Sequence, residues 1–178
     1  MSRICVYCGS ADGTRPDYRA AAERVGRTLA RRGLGLVYGG ASVGTMGAMA
    51  DAALDAGGEV TGIIPRSLVD REVAHPELTE LHVVEGMHER KALMTALSDA
   101  FLTLPGGHGT LDELFECVTW KQLGLHDGPI GLWNVAGYWD PLLAMLARAG
   151  EEGFVRPAHR GLLIAGADLD DLLARLTG

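Results

Sequence analysis

Lysine is close to missing from this chain of 178 residues: there are two, Lys91 and Lys121, against fourteen arginines. A positive site for an anionic ligand must therefore be built mainly from arginine. Cysteine is scarce too, with Cys5, Cys8 and Cys117 only. Cys5-x-x-Cys8 lacks the second pair, or the nearby histidine pair, that would complete a zinc site. Cys5 falls inside a predicted strand, whereas redox pairs of this spacing open a helix, so the thiols read as structural. The six histidines show no HExxH or HxH spacing, and no metal or other cofactor is expected. No apolar run reaches the length of a membrane span, and no basic-then-apolar leader opens the chain. Positive charge in excess is also lacking. A formal net charge of −7 argues against a nucleic-acid groove. The expectation is a cytoplasmic protein with a small-molecule partner, no nucleic acid and no membrane.

What is present is ordinary for a globular protein, with 47% apolar and 22% charged residues, and the length suits one domain over 1–178. Short apolar runs read as strands at 3–7, 34–38, 60–64, 81–84, 100–104, 129–133 and 162–165. Helical patterns lie between them. Pro16 opens the first and Gly33 stops it. Others cover Ala48 to Ala56, the residues after Gly86, Leu111 to Leu123, the stripe Tyr138, Leu142, Met145 and Leu146, and Leu169 to Leu176 behind an Asp168 cap. This alternation predicts an α/β fold: a Rossmann-like, doubly wound, mostly parallel sheet with helices on both faces. Such folds bind ligands at the carboxyl ends of strands, near the point where the strand order reverses.

Two glycine loops fall at such ends. The first runs from Gly39 and Gly40 to Gly47. The second is Pro105-Gly106-Gly107-His108-Gly109-Thr110, followed by Leu111-Asp112-Glu113. A strand, a tight glycine turn and a helix start together present unpaired N–H groups and a partial positive charge, which suits a phosphate. Both loops therefore point to one shared nucleotide-phosphate site, with Ser10 in the loop after the first strand as a further candidate contact. The same residues have plainer readings. Thr110-x-x-Glu113 fits a capping box with Thr110 at the N-cap, and the small residues of 39–47 suit tight helix–sheet packing. Neither loop is GxGxxG after the first strand, and the second strand ends in Gly-Gly rather than an acidic residue. Nicotinamide redox chemistry is disfavoured. Arg90 and Lys91 stand together near a helix start, where the dipole disfavours cations. They mark either a functional site or a solvated face. The irregular stretch 66–80 reads as an active-site loop or a charged connection.

The motifs Met87-His88-Glu89-Arg90-Lys91 and Pro105-Gly106-Gly107-His108-Gly109-Thr110-Leu111-Asp112-Glu113, in that order, resemble those of the Lonely Guy family of cytokinin-activating phosphoribohydrolases, a family long labelled lysine decarboxylase. Ile4 to Ser10, Tyr38-Gly39-Gly40, Gly62 to Pro65, Gln122 to Asp127, Asn134 to Tyr138 and Glu151 to Phe154 extend the likeness over nearly the whole chain. The resemblance implies hydrolysis of the N-glycosidic bond of a cytokinin riboside 5′-monophosphate or AMP, without a cofactor, by a homodimer whose sites lie close to the subunit interface. It implies Arg90 and Glu113 as the catalytic pair. Substrate contacts map onto Glu72, Lys91, Thr119 and the loop Gly106, Gly107, His108, Gly109, Thr110, Leu111 and Asp112, beside Gly39, Gly40 and Ser10. His108 stands where other members often carry tyrosine, and Asp70 where the family more often has proline.

A carboxylate at Glu113 suits the cationic, oxocarbenium-like transition state of such a cleavage. Arg90 suits either a hydrogen bond to the departing purine or a hold on phosphate or ribose. Two other functions stand beside this one. A non-catalytic nucleotide sensor or carrier would use the same loops. A pyridoxal-dependent decarboxylase would need Lys91 or Lys121 as its Schiff-base lysine. AMP and N6-modified AMP share every group that the motifs address, so the preferred base is not legible.

Overall fold

The computed structural model describes residues 2–69, 71 and 74–178. Seven strands run in the order β4-β3-β2-β1-β5-β6-β7: β1 Arg3–Tyr7, β2 Gly35–Tyr38, β3 Val60–Pro65, β4 Glu80–Val84, β5 Ala100–Thr103, β6 Ile130–Trp133 and β7 Leu163–Gly166. Every neighbouring pair is parallel. The sequence pointed to a mostly parallel sheet, and the described sheet is wholly so. The helices are α1 Pro16–Arg31, α2 Gly44–Asp55, α3 Arg66–Val69, α4 Met87–Ala96, α5 His108–Gln122, α6 Asp140–Glu151 and α7 Leu169–Thr177.

A parallel sheet covered on both faces needs strands that are apolar on both sides, and β1, β2, β5 and β6 are buried along nearly their full lengths. Alternate residues go to opposite layers. Ile4, Val6, Leu36, Tyr38 and Leu102 join a core under α1, α2 and α7. Cys5, Tyr7, Val37 and Phe101 join one under α4, α5 and α6. Winding outward from β1 in both directions with right-handed crossovers places these helix sets on opposite faces. The winding reverses between β1 and β5, so the loops after those two strands flank the crevice.

Local rules account for several boundaries. Pro16 sits at the start of α1, whose apolar side is Ala22, Val25 and Leu29 and whose outer side pairs Arg19 and Arg27 with Glu23. Asp168 caps α7 by accepting a hydrogen bond from the Asp171 N–H at 2.8 Å, as its position predicts. Three expectations are corrected. α2 begins at Gly44 rather than Ala48, so the end of the first glycine loop is already helical. α5 begins at His108, three residues before the apolar pattern does. Its N-cap is Gly107, not Thr110, because the Leu111 N–H already bonds to the Gly107 carbonyl at 3.0 Å. Tyr138 precedes α6 rather than lying in its stripe.

The three cysteines are free and buried. Burial pushes the thiols of Cys8 and Cys117 up to about 12 and raises Cys5 as well. The thiolate is the reactive form, and at pH 8 a thiol of pKa about 12 is ionised only on the order of one part in ten thousand. The folded protein is expected to leave a disulfide reagent such as DTNB unconsumed over minutes at pH 8, and to titrate three thiols once unfolded in guanidinium. Rapid reaction of any one in the native state would contradict the burial described.

Candidate active site

The β5–α5 turn is the centre of the candidate site. The Leu104 N–H bonds to the Tyr7 carbonyl at 2.9 Å and ties the turn to the end of β1. Gly106 follows, then Gly107 as N-cap in an extended conformation, then α5. The helix ladder starts with Leu111, so the N–H groups of His108, Gly109 and Thr110 precede it. Gly107, His108 and Gly109 are exposed at this end, while Thr110 is buried. The Thr110 side chain occupies the place a Cβ on Gly106 would take, with its own Cβ 2.7 Å from that position. Only glycine fits there.

A cavity of about 250 Å³ opens beside this turn. Ser10, Asp12, Tyr18, Thr45, Gly106, Gly107 and Tyr138 are among its lining residues. Ser10 is exposed, as a contact residue would need to be. The Thr45 hydroxyl donates to the Gly9 carbonyl at 2.9 Å, and the Met46 N–H bonds to the same oxygen at 3.2 Å. Tyr138 donates from its hydroxyl to the Gly106 carbonyl at 2.6 Å. Thr45, Tyr18 and Tyr138 were not singled out as site residues from the sequence. The available signal for Tyr138 was its place in Asn134-Val135-Ala136-Gly137-Tyr138, next to strand β6.

Arg90 is 5% exposed. Its Nε donates to the Ile63 carbonyl at 3.1 Å and its Nη2 to the Gly39 carbonyl at 2.9 Å, while Nη1 lies 3.8 Å from the Met87 sulfur. The guanidinium is thus held at the carboxyl ends of β2 and β3 by main-chain oxygens. A guanidinium has five N–H donors, and two of them are committed to these carbonyls. This also explains Gly39: a Cβ there would collide with the Arg90 Nη2 and press on the Met46 sulfur at 3.1 Å. Gly40 is buried with φ +78°, and its carbonyl accepts from the His75 N–H at 3.0 Å. The loop containing Gly39, the start of α2 and the turn at Gly106 are contiguous through Met46 and Gly9, since a Cβ on Gly9 would lie 3.5 Å from the Gly106 Cα.

Lys91 is 8% exposed but differently placed. Its Nζ donates to Asp112 at 3.0 Å and Glu116 at 2.9 Å, tying α4 to α5. Burial works against its charge, yet the hydrogen bonds and charges of Glu116 and Asp112 outweigh it and raise the pKa above 10.5. Neither Arg90 nor Lys91 sits on a solvated face. Asp112 is exposed on its other side, Leu111 is half-buried, and so is Glu113, in the second turn of α5. After burial, the Glu113 charge is among the causes that raise Cys5, Tyr7 and Cys8.

Two further contacts are expected from the sequence, Glu72 and Thr119. Glu72 lies outside the described residues. Thr119 faces a separate apolar groove of about 400 Å³ between α5 and α6, beside Phe115.

The closest approaches make two expectations. Gly106→Ala should destabilise the fold by roughly 1–3 kcal/mol in urea melts, because the added methyl overpacks against Thr110. Lys91→Met should cost about 1–3 kcal/mol, less than a fully buried pair because Asp112 is more than half exposed. The raised Lys91 pKa gives the sign: its contribution is complete below 10.5 and is lost as pH climbs through the folded value. The stability gap between wild type and Lys91→Met should hold constant from about pH 7 to 9 and narrow above pH 10.5.

The family model described as "Possible lysine decarboxylase" matches residues 46–176. The chain is 48% identical over 174 residues to the rice (Oryza sativa subsp. japonica) protein named cytokinin riboside 5′-monophosphate phosphoribohydrolase LOG, covering 98% of this chain and 72% of that one. It is 45% identical over 176 residues to the enzyme of the same function name, LOG1, from Arabidopsis thaliana, covering 99% and 83%. Among solved structures, the molybdenum cofactor carrier protein of Chlamydomonas reinhardtii superposes with a TM-score of 0.73 at 20% identity, covering 99% of this chain and 96% of that one. The molybdenum cofactor binding protein of Rippkaea orientalis gives 0.74 at 20% identity, covering 99% and 95%. At that identity the likeness establishes the fold alone.

Proposed function

The chain belongs to the Lonely Guy (LOG) family, and from that membership we propose that it hydrolyses the N-glycosidic bond of cytokinin riboside 5′-monophosphates, and of AMP, to the free base and ribose 5-phosphate. The observation that carries the reading is Arg90: a buried cation anchored by two carbonyls, with donors left over, at the carboxyl edge beside the glycine turns. A buried cation with unspent donors suits an anionic or electron-rich ligand.

The 5′-phosphate lies at the start of α5, against the N–H groups of residues 107–110 and the positive end of the helix. Binding energy from this unreacting end positions the ribose. As the C1′–N bond breaks, positive charge grows on the sugar. Glu113, facing in from α5, stabilises that charge and orients a water molecule for attack on C1′. The water oxygen bonds to C1′, its proton leaves through the carboxylate, and the base departs with the bonding electrons and gains a proton at a ring nitrogen. Arg90 donates a hydrogen bond to the departing purine. Lys91 acts one step removed, by holding Asp112 and Glu116 and so the rotation of α5.

The decarboxylase reading loses its footing. Lys91 is spent on two carboxylates, and the Lys121 ammonium donates to the carbonyls of Asp127 and Gly128 at 2.8 Å each. We also place the protein in the cytoplasm; among the described residues no helix is long and apolar enough to cross a membrane. We further propose a homodimer formed through the α5–α6 face, where Phe115, Met145 and Phe154 are exposed. Thr119 lines that face, so its expected contact with substrate falls at the subunit boundary.

The test is product analysis. AMP, isopentenyladenosine monophosphate and the two matching nucleosides are incubated with the protein, and bases and sugars are separated by chromatography. Base and ribose 5-phosphate should come from the monophosphates alone. Glu113→Gln should lower kcat by about 10²–10³-fold while nucleotide still binds. Full turnover by that variant would remove Glu113 from the mechanism. Tight binding of nucleotide by the wild type with no base released would instead make the protein a sensor or carrier.

A further inference from the structure

The Gly106–Gly107 peptide joins two residues without side chains, so little in its own chemistry opposes rotation of the peptide plane. Rotation matters because the plane is rigid and trans: its C=O and N–H point in opposite directions. Whatever holds the Gly106 oxygen on one side presents the Gly107 N–H on the other. That N–H sits at the N-cap of α5, where the phosphate reading needs a donor.

The Tyr138 hydroxyl holds that oxygen, at 2.6 Å. The tyrosine is itself fixed from several sides. The Tyr18 ring meets its ring edge-on at 5.5 Å and the Trp139 ring at 4.7 Å. Its N–H bonds to the Val135 carbonyl at 3.0 Å. Two successive residues before it, Ala136 and Gly137, take positive φ values of 52° and 73°. For alanine this is an uncommon conformation that surrounding structure must impose. The Asn134 side chain supplies part of that, accepting from the Trp139 N–H at 2.8 Å and donating to Asp140 at 2.7 Å. The β6–α6 connection is thus bent and braced so that one phenol reaches the neighbouring β5–α5 turn. Among the described residues, Tyr138 is the side chain seen bonding to the Gly106 oxygen.

We propose that Tyr138 is a positioning residue for phosphate recognition: its hydroxyl locks the Gly106–Gly107 peptide in the orientation that turns the Gly107 N–H toward the 5′-phosphate. The inference rests on the reading of the α5 start as the phosphate site. Tyr138 touches the loop and not the reacting atoms, so its loss acts on binding and leaves the chemical step nearly intact.

The test compares wild type with Tyr138→Phe, which keeps the ring and its two edge contacts and removes the hydroxyl alone. Calorimetric titration with AMP and with inorganic phosphate should give a Kd raised by roughly tenfold for each, the scale of one lost hydrogen bond to a site. KM for the monophosphate should rise by a similar factor, with kcat changed less than about threefold. Unchanged Kd for both probes in a folded variant overturns the proposal, as does a fall in kcat at unchanged KM. The two layers separate cleanly. If the wild type releases no base from any monophosphate, the hydrolase reading fails, while weaker phosphate binding by Tyr138→Phe still sustains the lock. If the wild type turns over and the variant binds phosphate as well as it does, the lock fails alone. Should the variant not fold, the wild type decides by NMR: adding inorganic phosphate should move the Gly107 amide proton downfield, and an unmoved Gly107 signal overturns the proposal.

Discussion

Main-chain carbonyls at the carboxyl edge of a parallel sheet need donors, and much of this molecule is arranged around supplying them. Inside the sheet each oxygen meets a neighbouring strand. Where strands end and turns begin the ladder stops, and a buried oxygen left alone is costly. Here the donors arrive from other elements. Arg90 of α4 serves Ile63 and Gly39, Thr45 of α2 serves Gly9, the His75 N–H serves Gly40, and Tyr138 serves Gly106. Each bond ties a different element to the same edge. Satisfying the backbone and assembling the candidate site are therefore one operation.

The two adjacent cations of α4 divide the electrostatic work. A helix turns 100° per residue, so neighbouring side chains leave in different directions. Lys91 points to α5 and is neutralised there by Asp112 and Glu116. Arg90 points to the strand ends and meets only carbonyls and a thioether among the described residues. The geometry of guanidinium suits this task, since its fork can hold two backbone oxygens and keep donors in reserve. Lysine's single nitrogen suits a closed triad. The choice of arginine at 90 and lysine at 91 thus follows from what each faces.

Strand and helix identity were legible because they depend on local patterns. Apolar runs such as Ile4 to Tyr7 and Ala100 to Leu104, broken only by Thr103, need cover on both faces, and Leu169, Leu172, Leu173 and Leu176 repeat at helical spacing. The start of α5 was misplaced for a physical reason. His108 and Gly109 carry no apolar signal, and the helix enters them because Gly107, not Thr110, ends the turn. Thr110 resembled a cap, but its side chain is consumed by packing over Gly106. The spacing of Tyr138 from Leu142 predicts a helix there, but Ala136 and Gly137 at positive φ break the chain away before α6 begins.

The sequence by itself determined the α/β class, the placing of glycine turns at strand ends and, through its motifs, the family. These follow from periodicity and from residue types whose meaning is local or whose combination is specific. Tertiary structure alone decided which cation is spent and which keeps free donors. It decided that Tyr138 reaches across from β6 to the β5–α5 turn, and that Thr119 faces the α5–α6 groove rather than the cavity beside Gly106. Those outcomes depend on which strands become neighbours at the reversal between β1 and β5. Neighbours in a wound sheet are set by the packing of the whole chain, and no short stretch of residues carries that information.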